Sequence, residues 1–137
     1  MVRRKQGALY NFRLTAEDRS AIIAAAAALK AHYGHHVANI HVVAHLLRIL
    51  AADMDPNPVT AQERLDLPEV TMKDEQVGGV IPTDLVAQIP TLVKIAGVPG
   101  ANSLVMLARR RYLPWTLDQE PGPYGVVNVD KLLESEE

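Results

Sequence analysis

Six residues near the N-terminus alternate in character: Leu9-Tyr10-Asn11-Phe12-Arg13-Leu14. Tyr10, Phe12 and Leu14 fall on one face and Asn11 and Arg13 on the other, the period-two pattern of a short half-buried strand. A strand of this kind does not stand alone in water. Tyr10, Phe12 and Leu14 therefore need a partner for their strand, which a second copy of the chain would supply. Immediately after it, Thr15 is placed to cap a helix whose positive first turn holds Glu17 and Asp18. That helix is expected over about Ala16–His32, with Ile22, Ala25, Ala26 and Leu29 as its apolar stripe. The run Ala24–Ala28 is the strongest local helix signal in the chain.

A turn at Tyr33-Gly34-His35-His36 leads to a second helix over about Asn39–Asp53, with Asn39 as its expected N-cap and a wide apolar face. Asp55-Pro56-Asn57-Pro58 breaks it. Residues 54–80 read as a linker with one or two helical turns at Thr60–Leu67 and a second break at Gly78-Gly79. Further on, short helices are expected at Thr83–Ile89 and Thr91–Ala96, a tight turn at Gly97-Val98-Pro99-Gly100, and a helix at Ala101–Tyr112. A short strand at Gly125–Val129 and a helical turn at Asp130–Leu133 precede an acidic tail. No internal repeat is visible. The expected fold is mainly α with short β, in four parts: a basic arm (1–8), a strand-helix-helix unit (9–53), the linker (54–80) and a small helical module (81–137).

Composition narrows the function classes. The chain of 137 residues is 48% apolar, enough for a core, but only 4% aromatic, which favours helices over a sandwich of aromatic strands. It contains no cysteine, which excludes disulfides, thiol catalysis and thiolate zinc sites. The net charge of −2 hides an asymmetry. Residues 1–52 carry seven Lys/Arg against two Asp/Glu, and residues 53–137 carry seven against fourteen. A basic half points to a polyanion partner. The uncharged run Ala21–Leu29 is nine residues long, against roughly 20 for a bilayer span, so a cytoplasmic, membrane-free protein is expected. Ser20, Ser103 and Ser135 lie in no nucleophile motif, and the glycine-rich turns lack the Lys-Ser/Thr of a phosphate loop. Neither an enzyme nor a cofactor is expected. His41 and His45, four apart on one helix, have a spacing at which two imidazoles can share a metal. No Asp or Glu lies close in sequence to complete that site, and Arg48 continues the same stripe.

The stretch Tyr10–Leu14 followed by Thr15-Ala16-Glu17-Asp18-Arg19, with two helices after the strand, resembles the ribbon-helix-helix family, of which the Arc repressor is a member. The resemblance covers residues 9–53. It implies that two chains pair their strands into an antiparallel ribbon, one face of which enters the major groove of DNA. Carried onto this sequence, Asn11 and Arg13 would read bases, Arg to guanine and Asn to adenine. Leu9 would offer an apolar contact. The backbone amides at Asn39 and Ile40, at the start of the second helix, would hold a phosphate, and Arg3, Arg4 and Lys5 would track the DNA backbone.

Residues 91–133 resemble, more loosely, the winged helix-turn-helix modules of phage excisionases and MerR-like regulators, through Leu92-Val93-Lys94-Ile95-Ala96-Gly97-Val98 and the helix that follows. That resemblance implies Asn102, Ser103 and Met106 as readers and Arg109, Arg110 and Arg111 as phosphate contacts. The other reading of this half is a small packing or partner-binding module whose arginine cluster meets acidic side chains. Together these expectations describe a dimeric or higher-order DNA-binding protein: a repressor, an antitoxin, or an accessory factor of plasmid or phage DNA. The alternatives are a non-catalytic assembly subunit of a virion or nucleoprotein complex, and a histidine-based metal-responsive regulator.

Overall fold

The fold is taken from a computed structural model, which describes residues 7–34, 36–69 and 75–112. The expected strand at Gly125–Val129, the turn at Asp130–Leu133 and the acidic tail lie outside the described residues, as do Arg3, Arg4 and Lys5. The chain is mainly helical with one two-stranded antiparallel sheet, an α+β composition as expected.

The first strand, β1 (Gly7–Leu14), begins two residues earlier than the alternation suggests. Its partner is β2 (Glu75–Pro82) of the same chain, where a second copy was expected. The register places Gly7 opposite Pro82, Asn11 opposite Gly78 and Arg13 opposite Gln76. β2 corrects the expectation of a linker and glycine break over 75–80. The glycine pair is tolerated because each glycine accommodates a close approach. A Cβ on Gly79 would lie 2.6 Å from Ile40 Cγ2, and one on Gly78 3.1 Å from Asn11 Oδ1.

The helices α1 (Ala16–Tyr33) and α2 (Asn39–Asp53) follow β1, and α3 (Ala61–Leu65) is a short turn of helix. After β2 come α4 (Thr83–Ala96) and α5 (Ala101–Tyr112). The Thr15 hydroxyl accepts the Asp18 N–H at 3.2 Å, capping α1 as expected. The N-cap of α2 is Ala38 rather than Asn39, with no side-chain cap. α4 runs unbroken through Pro90, where two short helices were expected. Pro90 is exposed, and the amide it lacks removes a single intrahelical bond.

Two strand-helix-helix units therefore stand in one chain, although no repeat is visible in the sequence. Both first helices end at a left-handed glycine, Gly34 with φ 75° and Gly97 with φ 71°. Each second helix packs against the other unit's strand, α2 on β2 and α5 on β1, and α2 and α5 pack on each other. This interlock puts the core between ribbon and helices. Phe12, Leu14, Val77 and Ile81 point down from the strands onto Ile22, Leu29, Leu46, Leu47, Leu50, Leu85, Leu104 and Leu107. Six consecutive residues of α2, Val42–Leu47, are buried, as are Leu104–Arg109 of α5, so the two second helices form the centre of the molecule. Among the described residues no single helix is long and apolar enough to cross a membrane.

Candidate nucleic-acid interface

The alternation that buries Phe12 and Leu14 turns Leu9, Asn11 and Arg13 to the outer face of the ribbon. On β2 the same side carries Gln76, Gly78 and Val80. Asn11 and Gln76 are exposed and Arg13 is half-buried. Their heads form one cluster. Asn11 Nδ2 donates to Gln76 Oε1 at 2.6 Å. With the Gln76 carboxamide turned over, its oxygen accepts from Arg13 Nη1 at 2.7 Å and its nitrogen donates to Asn11 Oδ1 at 3.0 Å. That orientation satisfies Arg13 but sets the Gln76 nitrogen 2.6 Å from Asn11 Nδ2, so the Asn11 amide must turn over with it and accept through its oxygen. Gln76, which lies in the stretch read as a linker, was missed by sequence reasoning; no alternation around Gly78-Gly79 signals a strand.

Side chains cover both outer edges of the ribbon at the level of this cluster. The Arg13 backbone N–H donates to Asn102 Oδ1 at 3.0 Å, and Arg19 Nε donates to the Gln76 carbonyl at 2.9 Å. Such covers keep an unpaired strand edge from recruiting a further strand. Asn102, expected as a base reader, is thus engaged with the strand that carries Arg13. Arg19 Nε also stands 4.0 Å from the Glu75 carboxylate.

Beside the cluster lie the starts of the two second helices. A cleft of about 360 Å³ is lined by Arg19, His36, Asn39, Ile40, Gln76 and Gly78, so the expected phosphate anchor at Asn39 and Ile40 sits next to the outer face. A second cleft of about 430 Å³, lined by Arg64, Pro68, Gly100, Asn102 and Ser103 among others, lies at the corresponding end of α5. The first turn of each second helix carries no acidic residue, which leaves the positive end of its dipole unopposed within the helix.

The three consecutive arginines go elsewhere. Arg109 and Arg111 are each only 1% exposed, so neither reaches a surface partner in this fold. Arg109 is bound to the fully buried Asp18 carboxylate. Burial pulls the Arg109 pKa below its ordinary value, and Asp18 opposes that shift. Arg110 is half-buried and also reaches Asp18, at 3.3 Å. Arg111 donates to Glu63 Oε2 at 2.7 Å and to the Asn57 carbonyl at 2.9 Å, and its pKa is raised chiefly by the Glu63 hydrogen bond. Met106 is likewise buried. The arginine cluster does meet acidic side chains, but those of its own chain.

His45 lies in the core at 3% exposure and His41 is half-buried. Among the described residues no group of three or more His, Cys, Asp or Glu is arranged to hold a metal ion. No family model, curated protein or solved structure matches the chain.

Proposed function

We propose that this protein binds double-stranded DNA through the outer face of the β1–β2 ribbon, as a ribbon-helix-helix unit closed within a single chain. The observation that carries the reading is the Asn11–Arg13–Gln76 cluster. It is a group of amide and guanidinium heads on the outward face of a two-stranded ribbon whose inward residues Phe12, Leu14, Val77 and Ile81 are buried in the core. A two-stranded ribbon fits the major groove, where Arg pairs with guanine O6 and N7 and Asn or Gln with adenine N6 and N7. The flanking starts of α2 and α5 would take phosphates on their backbone amides. Arg3, Arg4 and Lys5, which directly precede β1 in sequence, would add charge along the DNA backbone. A repressor, an antitoxin or a plasmid or phage accessory factor would use such a module.

The test is binding of labelled duplex by wild type and Arg13→Ala at two salt concentrations. Binding is expected to weaken steeply with salt, because phosphate contacts release counterions. Arg13→Ala is expected to weaken it by roughly 10- to 100-fold, the equivalent of one lost bidentate base contact. Equal binding by both proteins would remove Arg13 from the interface.

A further inference from the structure

We propose that the ribbon reads a non-palindromic stretch of duplex, one chain filling a whole site, with purine edges under one end of the ribbon and thymine methyl groups under the other. This deepens the DNA-binding reading and rests on it. A ribbon made of two identical strands shows the same chemistry at both ends and therefore asks for an inverted repeat. This ribbon does not have that symmetry.

The first residues of α1 and α4, Ala16 and Thr83, set the correspondence between the units. On it Leu9 corresponds to Gln76, Asn11 to Gly78 and Arg13 to Val80. No pair matches in chemistry. Across the ribbon, Arg13 faces Gln76, Asn11 faces Gly78, and Leu9 faces Val80. One end is therefore rich in hydrogen-bond donors and acceptors. The other is an apolar pair turned to solvent, with Leu9 80% and Val80 38% exposed.

The middle is one-sided too. Gly78 offers no side chain, and the place its Cβ would take lies 3.1 Å from Asn11 Oδ1, so Asn11 occupies the space of both positions. Leu9 and Val80 can make no hydrogen bond to a base edge. The apolar feature the major groove presents is the thymine methyl group. Arg13 and Gln76, at the opposite end, select guanine and adenine.

The experiment is enrichment of duplexes with a randomised core on the full-length protein. Binding then follows to the enriched sequence, to inverted repeats built from either of its halves, and to a copy with uracil in place of thymine. We expect an asymmetric motif bound by one chain, with both inverted repeats weaker by roughly tenfold or more, as one mismatched contact predicts. Uracil under the apolar end should weaken wild-type binding severalfold and leave Leu9→Ala unaffected; Leu9 is exposed enough for that variant to keep its fold. Enrichment of an inverted repeat, two chains per site, or indifference of the wild type to uracil would overturn the inference while leaving duplex binding in place. Failure to bind any duplex, or binding with no enriched sequence, would bring down the DNA-reading function and this inference together.

Discussion

Gly79 has a φ of +156°, a region L side chains rarely adopt, and Ile40 packs on it where a Cβ would be. Gly79→Ala is expected to destabilise the fold by about 1–3 kcal/mol, from overpacking and backbone strain together. Adding Ile40→Ala is not expected to restore stability in urea denaturation, because the Ile40 Cβ, which alanine keeps, would still lie 2.7 Å from the new one and the buried isoleucine is lost as well. Tyr112 carries a pH dependence. Its hydroxyl donates to Asp53 Oδ2 at 2.5 Å, and burial together with that carboxylate pushes the phenol above its ordinary value of 10. The folded chain keeps this proton at a pH where the unfolded chain gives it up. The contribution is complete below pH 10 and drains away as the pH rises beyond it. The melting temperature of Tyr112→Phe is expected to fall less steeply above that pH than that of the wild type.

Among the elements, the helices were the legible part. α1, α2 and α5 follow from a cap, an alanine run, apolar stripes and bracketing turns, all local signals. β1 and the outward place of Asn11 and Arg13 follow from alternation. β2 was not legible, because Gln76-Val77-Gly78-Gly79-Val80 is made a strand by pairing with β1 far away in sequence, not by its own propensity. The burial of Arg109 and Arg111 was hidden for a similar reason: their partners Asp18 and Glu63 lie far off along the chain. Counting from the first residues of paired helices, Asp18 corresponds to Leu85 and Arg109 to Leu47. The buried ion pair of one half is thus replaced in the other by two leucines, both fully buried. Arg48 corresponds to Arg110, and each binds a carboxylate in the first turn of the other unit's first helix: Arg48 donates to Asp84 at 2.8 Å, holding that carboxyl below its usual range. Asp18→Asn is expected to cost about 3–5 kcal/mol in urea denaturation by stranding a buried guanidinium. Asp18→Leu combined with Arg109→Leu is expected to be neutral or up to about 4 kcal/mol more stable, as buried ion pairs replaced by packed leucine often are. A double variant as unstable as the single one would show that the pair contributes more than its own desolvation costs.

At the scale of the whole molecule the mixed polar and apolar pairing decides which units combine. Two copies of the first unit closing a ribbon by themselves would set each Asp18 against the Leu47 position of the other copy, leaving it only the half-buried Arg48, in the place Arg110 takes here, as counter-ion. The second unit supplies the buried Arg109 instead. Chains of residues 1–69 and 75–137, made separately, are each expected to show little helix by circular dichroism, since each second helix needs the other unit's strand. Mixed in equal amounts they are expected to regain the helical signal of the intact chain. A stable, helical self-pairing of residues 1–69 would contradict this account of the interlock.

Both strands of the ribbon belong to one covalent chain, so closing it is a unimolecular event. A ribbon shared between two polypeptides falls apart when the protein is diluted below its dissociation constant; this one has no such threshold. On the DNA-binding reading proposed above, with one chain per site, occupancy of the duplex then follows the first power of protein abundance, without the sharpened response that obligatory subunit assembly imposes.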